Sequence, residues 1–201
     1  APDLSALPCI VEAIRVSFNQ YHENSYVVAC RNSRQAAVVD PGGAVDDILK
    51  IVQDNELNLM HILVTHSHSD HIGGLRALLE MHPAAVVVSS TIERDALTLG
   101  SYRWQAADAD GVLELGDLKV NWLSTPGHTP GSVCYSLPKA CFVGDTLFAG
   151  SIGRPAGKNA YLKMLDAIRS KILSLPDNTA ILPGHGPVTT VLQEKTYNPF
   201  F

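Results

Sequence analysis

The chain has 201 residues, of which 46% are apolar and 17% are charged, a composition typical of a water-soluble globular protein. Its formal net charge of −5 and the scatter of its Lys and Arg residues argue against nucleic acid and against an anionic membrane as partners. No apolar stretch approaches the ~20 residues of a membrane span, and the opening residues, APDLSALPC, lack a signal-peptide pattern. The four cysteines form no C-x-x-C pair, which predicts buried, reduced thiols and a cytoplasmic protein.

The first part of the chain alternates strand and helix patterns. β-Branched, apolar runs at 9–16, 25–30 and 36–40 predict three strands. The segment 44–56 carries apolar residues at helical spacing and predicts a helix, and 60–65 is a short apolar strand. The later predicted elements are, in order, a helix over 73–83, a strand at 84–89, a short helix over 91–100, hairpins at 112–125 and 132–145, a helix over 160–176, a strand at 180–185 and a helix within 188–196.

This order of elements predicts an α/β protein with mixed β-sheets and outer helices, rather than one doubly wound parallel sheet. The sequence contains no repeat, low-complexity segment or Pro/Gly-rich linker. We therefore expect a single domain over residues 1–201.

Histidine and aspartate side chains follow four of the predicted strands, where each strand ends. Glycines adjoin three of these places, and glycine allows a tight turn into a crowded centre. Because open sheets bind ligands at the carboxyl ends of strands, we expect these side chains to converge. The candidate metal ligands are His66, His68, Asp70, His71, His128, Asp145 and His185.

Seven ligands are too many for one zinc-like ion, which takes four protein ligands in a structural site and three plus water in a catalytic one. They suit two ions, each with three ligands, and one bridging carboxylate. Two such ions hold a shared hydroxide for hydrolysis. His22, His61 and His82 lack this context and are read as ordinary surface or core residues.

The motifs THSHSDH, TPGHTPGS, VGDTLF and PGHGP resemble those of the metallo-β-lactamase superfamily, in order and across nearly the whole chain. The segments GDTLFAGSIGRP and LPGHGPVTTVLQEKTYNPF resemble more narrowly its glyoxalase II (hydroxyacylglutathione hydrolase) branch. The resemblance implies the metallo-β-lactamase fold, a four-layer αβ/βα sandwich of two mixed β-sheets with outer helices. The ligands lie at one edge of the sheets in this fold.

The resemblance also implies how the ligands divide. His66, His68 and His128 would bind the first metal; Asp70, His71 and His185 would bind the second, with Asp145 bridging both. Asp70 and Asp145 are accordingly the expected catalytic carboxylates. We expect two divalent ions, zinc by default, with iron or manganese as alternatives because imidazole and carboxylate ligands accept them too.

Two departures from the glyoxalase II pattern bear on the substrate. Ser67 stands where a non-ligand histidine is usual, which leaves metal binding intact. The helical C-terminal extension that supplies basic glutathione contacts is missing from this sequence, so the acyl and thiol parts of the substrate stay open. Arg154 and Lys158 could instead meet a substrate carboxylate. The alternatives are that Arg154 holds its own loop and that Lys158 is a solvated surface charge.

A thiolate leaves without protonation because thiols have a pKa near ~8.5, whereas an amide nitrogen needs an acid. No spare acid adjoins the motifs, so we expect a glyoxalase II-like thioesterase that hydrolyses S-(2-hydroxyacyl)glutathione or a similar small acyl thioester through a metal-bridging hydroxide. The alternatives are a mononuclear-iron persulfide dioxygenase, although HGP replaces its usual His-Asp-Tyr, and an acyl-homoserine lactone lactonase. Asp145 argues against a true β-lactamase. We expect a monomer or a small homo-oligomer.

Overall fold

The computed structural model describes residues 2–16 and 22–201, which form two six-stranded mixed sheets with helices on their outer faces. The first sheet has its strands in chain order. β1 to β3 are antiparallel neighbours, whereas β3 to β6 run parallel. Its strands are β1 (Ile10–Arg15), β2 (Asn24–Ala29), β3 (Gln35–Val39), β4 (Asn58–Leu63), β5 (Val86–Ser89) and β6 (Trp104–Ala106).

The second sheet is built from the later part of the chain, and a short hairpin lies beside it. The remaining strands are β7 (Gly111–Leu115), β8 (Leu118–Ser124), β9 (Val133–Leu137), β10 (Ala140–Gly144), β11 (Leu147–Phe148), β12 (Ser151–Ile152), β13 (Ala180–Pro183) and β14 (Thr189–Thr190). The second sheet has the order β14-β13-β10-β9-β8-β7, and β11 pairs with β12. Only β10 and β13 pair in parallel in this sheet.

The helices are α1 (Val45–Asp54), α2 (Ser69–Ile72), α3 (Leu75–Met81), α4 (Thr91–Arg94), α5 (Lys158–Ala167) and α6 (Val191–Tyr197). A π-helical segment, Ile168–Ile172, continues α5, and 3₁₀ turns occupy Leu4–Ala6 and Asp95–Leu97. α1 and α3 pack on the outer face of the first sheet, while α5 and α6 pack on that of the second. Among the described residues, no helix is long and apolar enough to cross a membrane.

Three apolar clusters separate the four layers. The central cluster lies between the sheets, and each outer cluster lies between a sheet and its helices. Strand β10 contacts two of them, because Phe142 points into the central cluster while Cys141 and Val143 face α5. A strand that is buried on both faces reads as a continuous apolar run, as ACFVG does, and the sequence predicted it as one arm of the hairpin at 132–145.

The structure confirms the predicted fold class and the order of the main elements. All four cysteines are buried and free, as expected. The predicted helix over 160–176 was too long, since its α-helical part ends at Ala167 and a π-helical segment follows. The short strands β6, β11, β12 and β14 were not predicted. The single domain over 1–201 stays a prediction, and it includes residues 1 and 17–21, outside the described residues.

One buried hydroxyl links the two sheets next to the candidate ligands. Tyr135 of β9 is fully buried, and its hydroxyl, a hydrogen-bond donor, lies 2.9 Å from the carbonyl oxygen of Val64 and 2.8 Å from that of Val88. The Val88 carbonyl oxygen also accepts a hydrogen bond from the backbone N–H of Val64. The Val64 carbonyl oxygen therefore depends more on the tyrosine hydroxyl than the Val88 carbonyl oxygen does. Val64 lies two residues before His66.

We therefore expect Tyr135→Phe to lower the free energy of unfolding by about 1–2 kcal/mol, because the Val64 carbonyl then loses a partner in a dry interior. Urea unfolding measures this change. Tyr197→Phe is the matched control, since Tyr197 is 80% exposed and should change stability by less than about 0.5 kcal/mol. Equal stability of the Tyr135 variant and the parent would contradict the proposed link.

Candidate metal centre

The seven candidate ligands come together at one edge of the sandwich. In the second sheet, β8, β10 and β13 run in the same direction, so their carboxyl ends share an edge. His128, Asp145 and His185 follow these three strands, each within four residues of the strand end. The residues from His66 to His71 follow β4 of the first sheet and meet them there.

Three imidazole nitrogens form the first group. His68 Nδ1 lies 3.0 Å from His66 Nε2 and 3.0 Å from His128 Nε2. The other nitrogens of two rings are held from behind: His66 Nδ1 is 3.0 Å from the Thr65 hydroxyl, and His128 Nδ1 is 3.0 Å from the Arg154 carbonyl oxygen. Those contacts orient the lone pairs of His66 and His128 toward the common point.

The second group consists of Asp70, His71 and His185. His185 Nε2 lies 3.2 Å from Asp70 Oδ2, and His71 Nε2 lies 3.9 Å from the same oxygen. We call the set of His66, His68 and His128 the first trio and this set the second trio. Both sets have ligand atoms close enough together to hold one ion each.

Asp145 lies between the trios and turns one carboxylate oxygen toward each. Its Oδ2 is 3.5 Å from His128 Nε2, in the first trio. Its Oδ1 is 3.3 Å from His71 Nε2 and 3.6 Å from His185 Nε2, in the second trio. This is the arrangement that a carboxylate needs to bridge two ions.

The chemistry of these side chains fits metal ions. His71 Nε2 and Asp145 Oδ1 are buried and have no hydrogen-bond partner, although buried polar atoms normally have one. Ligand atoms about 2.0–2.1 Å from a tetrahedral zinc ion lie about 3.3 Å from one another, close to the spacing in both trios. A cation between these atoms would satisfy both orphaned groups.

Asp40 supports the centre from behind and was missed in the sequence, where it was read only as part of a turn. It accepts a hydrogen bond from His71 Nδ1 at 2.9 Å and from the backbone N–H and hydroxyl of Thr65 at 2.7 and 2.6 Å. Both of its oxygens therefore accept hydrogen bonds, and Asp40 orients His71. Asp40 also lies with His66 and His71 in a third group that has metal-ligand spacing. Asp40 directly follows β3, and its position after a parallel strand is the signal that could have identified it.

The same contacts set the pKa values of the candidate ligands. Burial opposes a charge on His71, but the nearby carboxylates of Asp145 and Asp40 outweigh it and raise the pKa of His71 well above its ordinary value. Burial also opposes ionisation of Asp145, yet His71 and the neighbouring imidazoles hold the pKa of Asp145 below its usual range. Burial and neighbouring imidazoles lower the pKa of His66, so that it stays neutral and keeps a lone pair for a ligand role.

Close packing at the centre explains two of the glycines. A Cβ atom at Gly184 would collide with the His71 ring and lie 2.6 Å from Asp145 Oδ1. Gly144, which precedes Asp145, has φ +48, and a side chain there would overlap Thr65. Glycine at both positions lets the strands β10 and β13 approach the histidines of the first sheet.

The proposed substrate contacts lie beside the first trio rather than within it. Arg154 and Lys158 are exposed, and the main chain of Arg154 contacts His128. Lys158 begins α5, where the same segment borders a cavity of about 380 Å³. The cavity is lined by Ile92, Pro126, Gly127, Pro130, Ala156, Ala160 and Lys163.

Comparison with known proteins shows the family of this chain. The chain matches the family model of the metallo-beta-lactamase superfamily over residues 19–185. It is 33% identical over 192 residues to the hydroxyacylglutathione hydrolase GloC of Haemophilus influenzae, which covers 84% of this chain and 88% of that protein.

Two solved structures are also similar. The BLEG-1 B3 metallo-beta-lactamase superposes with a TM-score of 0.83 at 31% identity, covering 95% of this chain and 99% of that one. ETHE1 from Myxococcus xanthus superposes with a TM-score of 0.82 at 31% identity, covering 94% and 83%. The chain therefore belongs to the metallo-β-lactamase superfamily, whose members bind divalent metals.

Proposed function

We propose that this protein is a dinuclear metallohydrolase that cleaves small acyl thioesters, S-(2-hydroxyacyl)glutathione or a close analogue among them. The observation that carries the proposal is the position of Asp145, whose two oxygens face different trios of ligand atoms. A site for one ion would not need a carboxylate aligned in this way.

The distances support one set of roles. His66, His68 and His128 would hold one divalent ion and Asp70, His71 and His185 would hold the other, with Asp145 between the two trios. Zinc is the proposed ion, and iron and manganese are alternatives because they also bind imidazole and carboxylate ligands. Divalent ions held there supply Lewis acidity, which polarises a carbonyl group and lowers the pKa of water toward ~7.

The chain's own groups shape the rest of the reaction. Asp40 keeps the Nδ1 proton of His71 in place, and the Arg154 carbonyl oxygen does the same for His128, so that both rings present Nε2 to the centre. His66 and His71 are fully buried, whereas His68 is exposed. The centre therefore has a closed side toward the core and an open side by His68, from which a substrate approaches.

The need to protonate the leaving group favours a thioester over an amide as the substrate. Asp70 Oδ2 lies next to His185, and Asp145 lies between His71 and His128, so both carboxylates are committed as ligands. The described residues of the two trios thus leave no carboxylic acid to protonate a departing amine. A thiolate needs no such proton at neutral pH because its pKa is near ~8.5. The similarity to a hydroxyacylglutathione hydrolase supports the same choice.

We propose that the segment after β12 helps to bind the parts of the substrate that lie away from the thioester group. The apolar cavity between α4, the loop 126–130 and α5 would take one arm of the substrate, and Lys158 and Arg154 would meet a carboxylate at its rim. A small thioester that carries a carboxylate would fit both the apolar cavity and the basic rim.

The function is tested with S-lactoylglutathione, a second acyl thioester, an acyl-homoserine lactone, glutathione persulfide and a β-lactam, together with metal analysis. We expect hydrolysis of the thioesters in preference to the others, loss of turnover after chelation, recovery with added zinc, and equal rates with and without oxygen. Oxygen-dependent turnover of the persulfide, or thioester hydrolysis that survives complete removal of metal, would refute the proposal.

For Lys158→Ala, we expect KM for an acidic thioester to rise about threefold with kcat unchanged, because an exposed ion pair contributes only ~0.2–1 kcal/mol. Lys119→Ala is the control. Lys119 is exposed at the start of β8, whereas His128 follows the opposite end of that strand, and its removal should leave KM unchanged. An unaltered KM in the Lys158 variant would remove this residue from the substrate site.

The role of Asp40 is tested on the second trio alone, in a His68→Ala background. We expect Asp40→Asn to weaken zinc binding there by about 10- to 100-fold, because the carboxylate that fixes and polarises His71 is lost. Competition with a chromogenic chelator measures the affinity. Asp108→Asn is a matched control, since Asp108 accepts the same pair of bonds from the N–H and hydroxyl of Thr91. Affinity within about threefold of the parent in the Asp40 variant would contradict the role.

A further inference from the structure

A second buried carboxylate, Glu93 of α4, binds the two loops that carry the first trio. Glu93 is 5% exposed. One oxygen, Oε2, accepts hydrogen bonds from the backbone N–H of Ser67, at 3.1 Å, and from the Ser67 hydroxyl. The other, Oε1, accepts the Thr129 hydroxyl at 2.7 Å and the backbone N–H of Gly131 at 3.1 Å.

These partners are the neighbours of the ligands. Ser67 lies between His66 and His68, and Thr129 directly follows His128. One carboxylate thus spans the gap between the loop after β4, in the first sheet, and the loop after β8, in the second. The 3.0 Å approach of His68 Nδ1 to His128 Nε2 depends on how far apart those two loops are held.

The loops have internal order but only a few other links to each other. The loop 125–132 is closed by bonds from Gly127 N–H to the Thr129 carbonyl oxygen and from Thr129 N–H to the Ser132 hydroxyl. Val133 N–H reaches across to the Thr65 carbonyl oxygen at 2.9 Å. Glu93 joins the two loops nearer to the ligands themselves, with two hydrogen bonds to each loop.

A carboxylate is the group that this position demands. All four partners donate, and an ionised carboxylate is acceptor-only at both oxygens. A glutamine of the same shape would turn an NH₂ group toward one pair of donors. The hydroxyl of Ser67 or of Thr129 can rotate away from that NH₂ group, but the backbone N–H of Ser67 or of Gly131 cannot.

We propose that Glu93 is a positioning residue of the metal centre, which sets the affinity of the first trio without binding the ion. Both of its oxygens are occupied, and it belongs to none of the described groups with metal-ligand spacing. The inference rests on the metal centre of the proposed function but not on its substrate. Metal affinity therefore tests it whether or not the protein cleaves thioesters.

The test compares Glu93→Gln with Glu194→Gln. Glu194 is an equally buried carboxylate, 3% exposed, that accepts bonds from Gly150 N–H, the Thr189 hydroxyl and Asn198 Nδ2. None of these donors adjoins a candidate ligand in the sequence. The two variants remove the same chemical feature from the interior, and only one of them touches the ligand loops.

Each trio is measured alone, the first in a His185→Ala background and the second in a His68→Ala background, by zinc competition with a chelator. We expect Glu93→Gln to weaken the first trio about 10- to 100-fold and to change the second by less than about threefold. In the metal-free protein, amide hydrogen exchange at Ser67 and Gly131 should become faster. Glu194→Gln should lower the urea midpoint but leave both affinities and those two amides unchanged.

Three results would overturn the inference. The first is an unchanged zinc affinity of the first trio in Glu93→Gln. The second is an equal loss of zinc affinity at both trios in Glu93→Gln, and the third is an equal loss of first-trio affinity in Glu194→Gln. If Glu93→Gln does not fold, Ser67→Ala and Thr129→Ala each remove one donor. We expect each to weaken the first trio several-fold and to spare the second, and the same three results would overturn the inference there.

Discussion

The structure depends on one electrostatic constraint: it gathers imidazole and carboxylate groups at one partly dry edge, where buried polar groups need a partner. His71 Nε2 and Asp145 Oδ1 are both buried, face each other at 3.3 Å and have no hydrogen-bond partner. Leaving such groups unpaired costs about 1–3 kcal/mol each, and more when they are charged. The folded chain accepts that cost at the position where ions would remove it, which is typical of a site that binds metal.

Neither sheet could form this centre alone. The first sheet supplies the residues from His66 to His71 together with the supports Asp40 and Glu93, and the second supplies His128, Asp145 and His185. The central apolar cluster and the Tyr135 hydroxyl fix the two sheets against each other. Hydrophobic burial between the sheets thus holds the polar groups at the edge in a geometry that they would not adopt by themselves.

Much of the centre could be predicted from the sequence because its ligands are rare residue types at strand ends. The H-x-H-x-D-H segment and three later His or Asp residues after apolar runs are visible without any structure. Asp40 and Glu93 were not recognised, because an acid in a DPGG turn and an acid on a short helix look like ordinary surface residues. In the sequence, Asp40 lies 31 residues from His71, and Glu93 lies 26 residues from Ser67 and 36 from Thr129. No local pattern therefore links either acid to its partners. The two-residue strands β11, β12 and β14 were missed since they are shorter than any alternating pattern.

The centre and the substrate site differ in how strongly the fold constrains them. His66, His71, Asp40 and Glu93 are buried, and hydrogen bonds join Asp40 to Thr65 and His71 and join Glu93 to Gly131. Arg154, Lys158 and Ile92 are exposed on segments outside the sheets, where a substitution costs little stability. A similar fold can therefore serve different substrates, since a protein named hydroxyacylglutathione hydrolase and one named B3 metallo-beta-lactamase both resemble this chain. In the function that we propose, substrate choice therefore depends on the cavity wall between α4 and α5 and not on the seven candidate ligands.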